Sequence, residues 1–186
     1  MEFKGLKINV IILVIMLVIV MFFFGQYIIN IYNINKPLQD EINSIDGINS
    51  VQIEKEDNKT NAIVSFESNI HFYDTYREIE KIMDKRLGSN TGQIVINKVA
   101  ESKDLKDIYY KLHFAIYEGI NTSKFVQMSE NVKLIAEKNK INNYKVWVDE
   151  KAVYLQLNKG ENSLYRRIPN YRSITINSQE GGAEVG

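Results

Sequence analysis

The chain has 186 residues, 45% of them hydrophobic and 25% charged, enough for one globular domain or two small ones plus an anchor. Its 23 basic and 23 acidic residues balance and no long basic run occurs, so nucleic acid is not expected as a partner. Cysteine is absent, which excludes disulfides, thiolate nucleophiles and thiolate metal sites together.

From Ile8 to Phe24 every residue except Asn9 is apolar, and no charge occurs between Lys7 and Lys36. At about 1.5 Å per residue this run is roughly 25 Å long as a helix, and Tyr27-Ile28-Ile29 can extend it toward an aromatic interface. A transmembrane anchor is expected over 8–29. A cleavable signal peptide would need a shorter apolar region followed by small residues, and the first alanine is Ala62. Lys4 and Lys7 precede the run, so the positive-inside rule puts residues 1–7 in the cytoplasm and the bulk of the chain outside. Abundant Ile, Asn and Lys with little Ala or Pro is a usage of AT-rich bacterial genomes, and the expected address is a bacterial cell membrane.

After a connector over 30–36, Pro37 suits the first turn of a short helix in which Leu38, Ile42 and Ile45 share a face. Asp46-Gly47 ends that helix, and Val51 and Ile53 alternate with polar residues as in a half-buried strand. Asp57-Asn58-Lys59 turns the chain into a second arm, Ala62 to Phe66. Phe72, Tyr76, Ile79, Met83 and Leu87 then mark a helix that Gly88 stops, before the strand Gln93 to Ile96.

The pattern from Glu41 to Ile53 is shared with metal-chaperone domains, in which a helix turns tightly into a strand. Those proteins hold metal on a Cys-x-x-Cys loop ahead of the helix, where this chain has Asn33-Ile34-Asn35-Lys36. No metal site and no cofactor are therefore expected. The order helix-strand-strand-helix-strand over 37–97, with the Ser44-Ile45-Asp46-Gly47-Ile48-Asn49-Ser50-Val51 turn, resembles the ring-building motif of membrane-anchored secretion and sporulation assembly proteins. That resemblance implies side-by-side packing into oligomers. The POTRA domain is a nearby alternative, but it begins with a strand, whereas Pro37 to Ile45 reads as helix.

In the second half, Ser102 is placed as an N-cap for a helix carrying Leu105, Ile108 or Tyr109, Leu112 and Ile116 on one face. Gly119 is expected to interrupt it. A further helix after Ser123 points Phe125, Met128, Val132 and Ile135 inward. Three strands follow as a meander, Tyr144 to Val148, Val153 to Leu157 and Leu164 to Ile168, turning at Asp149-Glu150-Lys151 and Lys159-Gly160. The meander either completes the first sheet or forms its own. Past Pro169 the apolar content thins, and 170–186 reads as a disordered tail.

The expected fold class is therefore α+β: a single N-terminal transmembrane helix, an extracytoplasmic αββαβ module over 37–98 and an ααβββ module over 103–169. No catalytic constellation is evident, and an enzyme is not expected. Glu54, Glu56, Glu78 and Glu80 fall on solvent-facing positions, and no serine sits in a nucleophile elbow. His71 and His113 lack partners at metal-binding spacing. Arg166 and Arg167 point to opposite faces of the last strand, where one could contact a partner or an anionic lipid.

The segment from Tyr109 to Glu118 is the richest in aromatics. Tyr110, His113 and Tyr117 share a helical face and form a candidate contact surface or small pocket. Aromatic stripes at helical spacing usually serve packing, so burial between sheet and neighbour is the stronger expectation. The expected function is extracytoplasmic assembly or scaffolding at the envelope, with the lipid bilayer as one partner and self-association or another envelope protein as the other. A sensor or small-ligand-binding domain is the alternative.

Overall fold

The computed structural model describes residues 8–30, 35–97 and 101–171. Residues 1–7, most of the 30–36 connector, the join at 98–100 and the expected tail beyond Tyr171 lie outside the described residues.

The first element, α1, forms at Ile8–Asn30 over 23 residues, in accord with the expected helix. Its apolar side chains from Val10 to Phe24 are all exposed, by 41% or more. Side chains of α1 are described only from Val10 to Gly25, and among the described residues no helix is long and apolar enough to cross a membrane. What the remaining elements build is an α+β structure of two small sheet-and-helix modules.

The first module runs α2 (Lys36–Asn43), β1 (Ile48–Glu56), β2 (Lys59–Phe66), α3 (Phe72–Leu87) and β3 (Thr91–Ile96), the last two joined by a 3-10 turn at Gly88–Asn90. Pro37 lies in the first turn of α2, where its missing N–H has no helical acceptor to lose. Gly47 has φ +85, and a Cβ there would stand 2.5 Å from Ile70 Cγ2, so the helix-to-strand turn requires glycine. β1 and β2 pair antiparallel through a two-residue turn, Asp57 and Asn58, both with positive φ (45 and 64). Positive φ at both central residues matches the right-handed strand twist in the manner of a type I′ hairpin. β3 lies parallel to β2 at the other side, giving the order β1-β2-β3.

The second module runs α4 (Lys103–Thr122), α5 (Phe125–Lys138), β4 (Asn143–Val148), β5 (Ala152–Lys159) and β6 (Asn162–Pro169). The three strands form an antiparallel meander, β4-β5-β6, separate from the first sheet. This settles the choice that the sequence left open. Gly119 does not interrupt α4: the helix continues through it to Thr122 and ends at Ser123, which takes a left-handed conformation. Gly119 is buried because α5 crosses there, and a Cβ would come 2.5 Å from Met128 Cβ. The absent side chain allows close helix approach instead of breaking the helix.

Three apolar clusters stack the molecule in layers. Leu38 and Ile42 of α2 and Ile79 and Met83 of α3 cover Val51, Ala62 and Val64 of the first sheet. Phe72 and Tyr76, on another face of α3, pack against Ala152, Tyr154 and Tyr165 of the second sheet. Leu105, Ile108, Leu112 and Ile116 of α4, with Met128 and Val132 of α5, cover Val153, Leu155 and Leu157. Strand β5 is thus buried on both faces, which is why its sequence runs apolar from Ala152 to Leu155 without alternating. Gln156, one of two buried polar residues on β5 with Asn158, ties the modules together: its Nε2 donates to the Ile70 carbonyl at 2.7 Å and its Oε1 accepts from Phe72 N at 3.3 Å.

Candidate interaction surface

Helix α4 begins at Ser102, whose hydroxyl accepts from Leu105 N at 3.3 Å and satisfies one unpaired amide of the first turn. The helical period then assigns the faces. With Leu105, Ile108, Leu112, Ala115, Ile116 and Gly119 turned inward, residues 110, 114 and 117 must point out. Tyr110 is 65% exposed, Phe114 59% and Tyr117 42%. The expectation that this aromatic bulk is buried between sheet and neighbour is overturned for Tyr110, Phe114 and Tyr117, because among the described residues α4 lies in an outer layer with a sheet on one side only, whereas Tyr109 packs on the core.

His113 sits half-buried inside this stripe. Its ring centroid is 3.9 Å from that of Phe114, 5.3 Å from Tyr110 and 6.0 Å edge-on from Tyr117. Its Nδ1–H donates to the Tyr110 carbonyl at 2.6 Å, which fixes the ring against the helix. The sequence brought together Tyr110, His113 and Tyr117, and the structure keeps them together. Phe114 belongs with them, and its i,i+4 spacing from Tyr110 was a readable signal. The four form an exposed stripe and not a pocket.

Polar residues flank the stripe along its α5 side. Lys111 Nζ donates to Asn139 Oδ1, just past α5, at 2.9 Å, and Glu118 lines the crevice between α4 and α5 beside Gln127. Lys111 and Glu118 are both exposed and lie on the same edge of the helix, seven residues apart.

A second cluster lies at the seam between the modules and was not anticipated. Arg167 of β6 holds its guanidinium 5.7 Å from the Tyr76 ring centroid and 6.0 Å from that of Tyr154, and 4.0 Å from Glu80 Oε1. Glu80 is also paired with Arg77, which reaches Asp149 at 4.0 Å. Glu80 is only 18% exposed, so the expectation of a solvent-facing carboxylate holds for Glu78 and fails for Glu80, which turns toward the second sheet. Burial pushes the Tyr154 phenol up to about 12 and raises that of Tyr76 as well, with the nearby Arg167 opposing both. An open cleft of about 590 Å³ runs beside this cluster, lined by Tyr76, Glu80, Asp84, Lys151, Tyr165 and Arg167 among others. Tyr154 and Arg167 are cross-strand partners in the β5–β6 pair, and only the packing of α3 on the second sheet brings Tyr76 and Glu80 to them.

Arg166 and Arg167 do point to opposite faces of β6. Each is engaged within the protein, Arg166 with Glu101 and the Tyr109 ring, so neither is a bare cation awaiting lipid. His71 pairs with Asp74 at 2.6 Å and packs its ring edge-on against Trp147 at 5.0 Å, far along the chain from His113. Among the described residues no group of three His, Asp or Glu side chains could hold a metal ion.

Comparison with protein-family models, with curated proteins and with solved structures returns no match to this chain.

Proposed function

We propose that the chain is a membrane-anchored, extracytoplasmic assembly or scaffold protein of a bacterial envelope, acting through protein contacts. The observation that carries this reading is the exposed stripe of Tyr110, Phe114 and Tyr117 on α4. Aromatic side chains are enriched in the cores of protein interfaces, where they give large contact area at low entropic cost. The anchor is α1. Its 23 residues give about 34 Å at roughly 1.5 Å per residue, and its exposed apolar side chains would be stable in lipid and not in water. Lys4 and Lys7 then keep the N-terminus inside.

The second reading, a small-ligand sensor, is favoured by the cleft at the module seam, where a half-buried Arg167 stands between aromatic rings and carboxylates. It differs from the first in needing a soluble ligand and no second protein.

The absence of cysteine makes the test direct. Asn58→Cys at the hairpin tip, in the full chain in intact cells, is expected to react with a membrane-impermeant maleimide; if it reacts only after lysis, the extracytoplasmic placement is wrong. Photo-cross-linking residues at 110 and 117 are expected to give protein adducts. Their failure to do so, with Asn58→Cys labelled from outside, would overturn the assembly role and leave the sensor.

A further inference from the structure

We infer that the α4 stripe is covered by a second copy of this chain, with the two α4 helices antiparallel across a two-fold axis at Phe114. This rests on the assembly reading above and names its partner. The argument is one of self-complementarity, which a two-fold contact demands and a contact with an unrelated protein does not.

The stripe is narrow, with Tyr110, Phe114 and Tyr117 at alternating spacings of four and three, the width of a helix-to-helix seam and not of a sheet-covering face. Its order is also nearly palindromic. Reversing α4 about Phe114 lays Tyr110 beside Tyr117 of the other copy, Tyr117 beside Tyr110, and Phe114 beside its equivalent. The flanking charges obey the same reversal. Lys111 and Glu118 lie on one edge of α4, two turns apart. In an antiparallel pair like edges face each other, so Lys111 of each copy comes opposite Glu118 of the other. An ammonium has three donors, so Lys111 can keep its bond to Asn139 while it meets that carboxylate.

The contact is small. Three large aromatics at roughly 150–250 Å² each stay below the roughly 800 Å² per partner of a standard interface. Such a contact is weak between freely diffusing copies and gains from confinement of both to one membrane, where effective concentration is high.

The experiment uses the full-length chain in its membrane. Single substitutions Tyr110→Cys and Tyr117→Cys are expressed alone and together, then treated with a short bis-maleimide. The antiparallel pair is expected to link Tyr110→Cys to Tyr117→Cys in the mixture far better than either to itself, and Phe114→Cys to itself. Lys111→Glu or Glu118→Lys alone should lower Phe114→Cys dimer several-fold, about fivefold if each like-charge contact costs what an exposed pair is worth, and the double exchange should restore it. All of these positions are exposed, and unchanged protease resistance of each variant serves as the folding check. Efficient self-linking of Tyr110→Cys without the mixed product means parallel packing and overturns the inference. Adducts to a different protein, with no homodimer, also overturn it while the assembly reading stands. No adduct of any kind, with Phe114→Cys readily labelled from outside, overturns both.

Discussion

Arg166 of β6 meets the carboxylate of Glu101, just before α4, end-on through both terminal nitrogens, with Nη2 donating to Oε2 at 2.7 Å and Nη1 donating to Oε1. Both side chains are largely buried, 13% and 5% exposed, and the guanidinium also lies 4.9 Å from the Tyr109 ring centroid. The pair pins the entry to the second module onto its outer strand. Removing one partner leaves a buried charge without a countercharge, which costs about 3–5 kcal/mol, whereas apolar replacement of both is often close to neutral. Glu101→Leu and Arg166→Met are each expected to lower stability in urea unfolding by that order, and the double variant to regain most of the loss. Additive losses would mean the two side chains act separately.

At the crossing of α4 and α5, Gly119→Ala is expected to destabilise. Alanine gains about 1 kcal/mol in helix propensity, but its methyl would meet Met128 Cβ at 2.5 Å, and overpacking of that kind costs about 1–3 kcal/mol. A double-mutant cycle with Met128→Gly, which removes the Cβ, Cγ and Sδ atoms that the new methyl would meet at 2.5, 2.7 and 2.8 Å, checks the cause, because the two substitutions should partly compensate each other.

The β1–β2 hairpin tests turn chemistry in isolation. Asn58→Gly should leave thermal stability unchanged or slightly raised, since Asn58 already has φ 64. Asn58→Val should lower it by about 1–2 kcal/mol, the cost of a left-handed conformation for a side chain that resists it.

Alkaline pH probes the module seam. Burial raises the folded-state pKa of Tyr154 to about 12, against an ordinary value near 10, so the folded protein holds that proton more tightly than the unfolded chain. Its stabilising contribution is complete below about pH 10 and is lost as pH rises through the folded value of about 12. Tyr76 is shifted in the same direction, also chiefly by burial. Unfolding midpoints measured from neutral pH upward should therefore fall beyond pH 10, and Tyr154→Phe, which removes the buried hydroxyl, should flatten that fall. An unchanged slope in Tyr154→Phe would place the alkaline sensitivity elsewhere.

Much of the architecture is local and was readable from the chain. Leu38 and Ile42, Ile79 and Met83, and Leu105, Ile108, Leu112 and Ile116 repeat at helical spacing, and these are the residues that became core. Gly47 and the Asp57-Asn58 pair announced their turns because only certain residues adopt positive φ cheaply. Tyr110, His113 and Tyr117 could be grouped on one face for the same reason: the period of a helix is fixed by its own hydrogen bonds.

Period says which side chains share a face, however, and not whether anything covers that face. Tyr76 and Tyr154 became buried because α3 lies between the two sheets, while Tyr110 and Phe114 stayed exposed because none of the described elements stacks beyond α4. Glycine shows the same division, turning the chain at Gly47 as its conformational freedom allows, yet admitting a neighbouring helix at Gly119, where only the position of Met128 gives it meaning. Tyr154 and Arg167 meet across one hairpin, but only the long-range packing of α3 brings Tyr76 to them, and no window of sequence contains that contact.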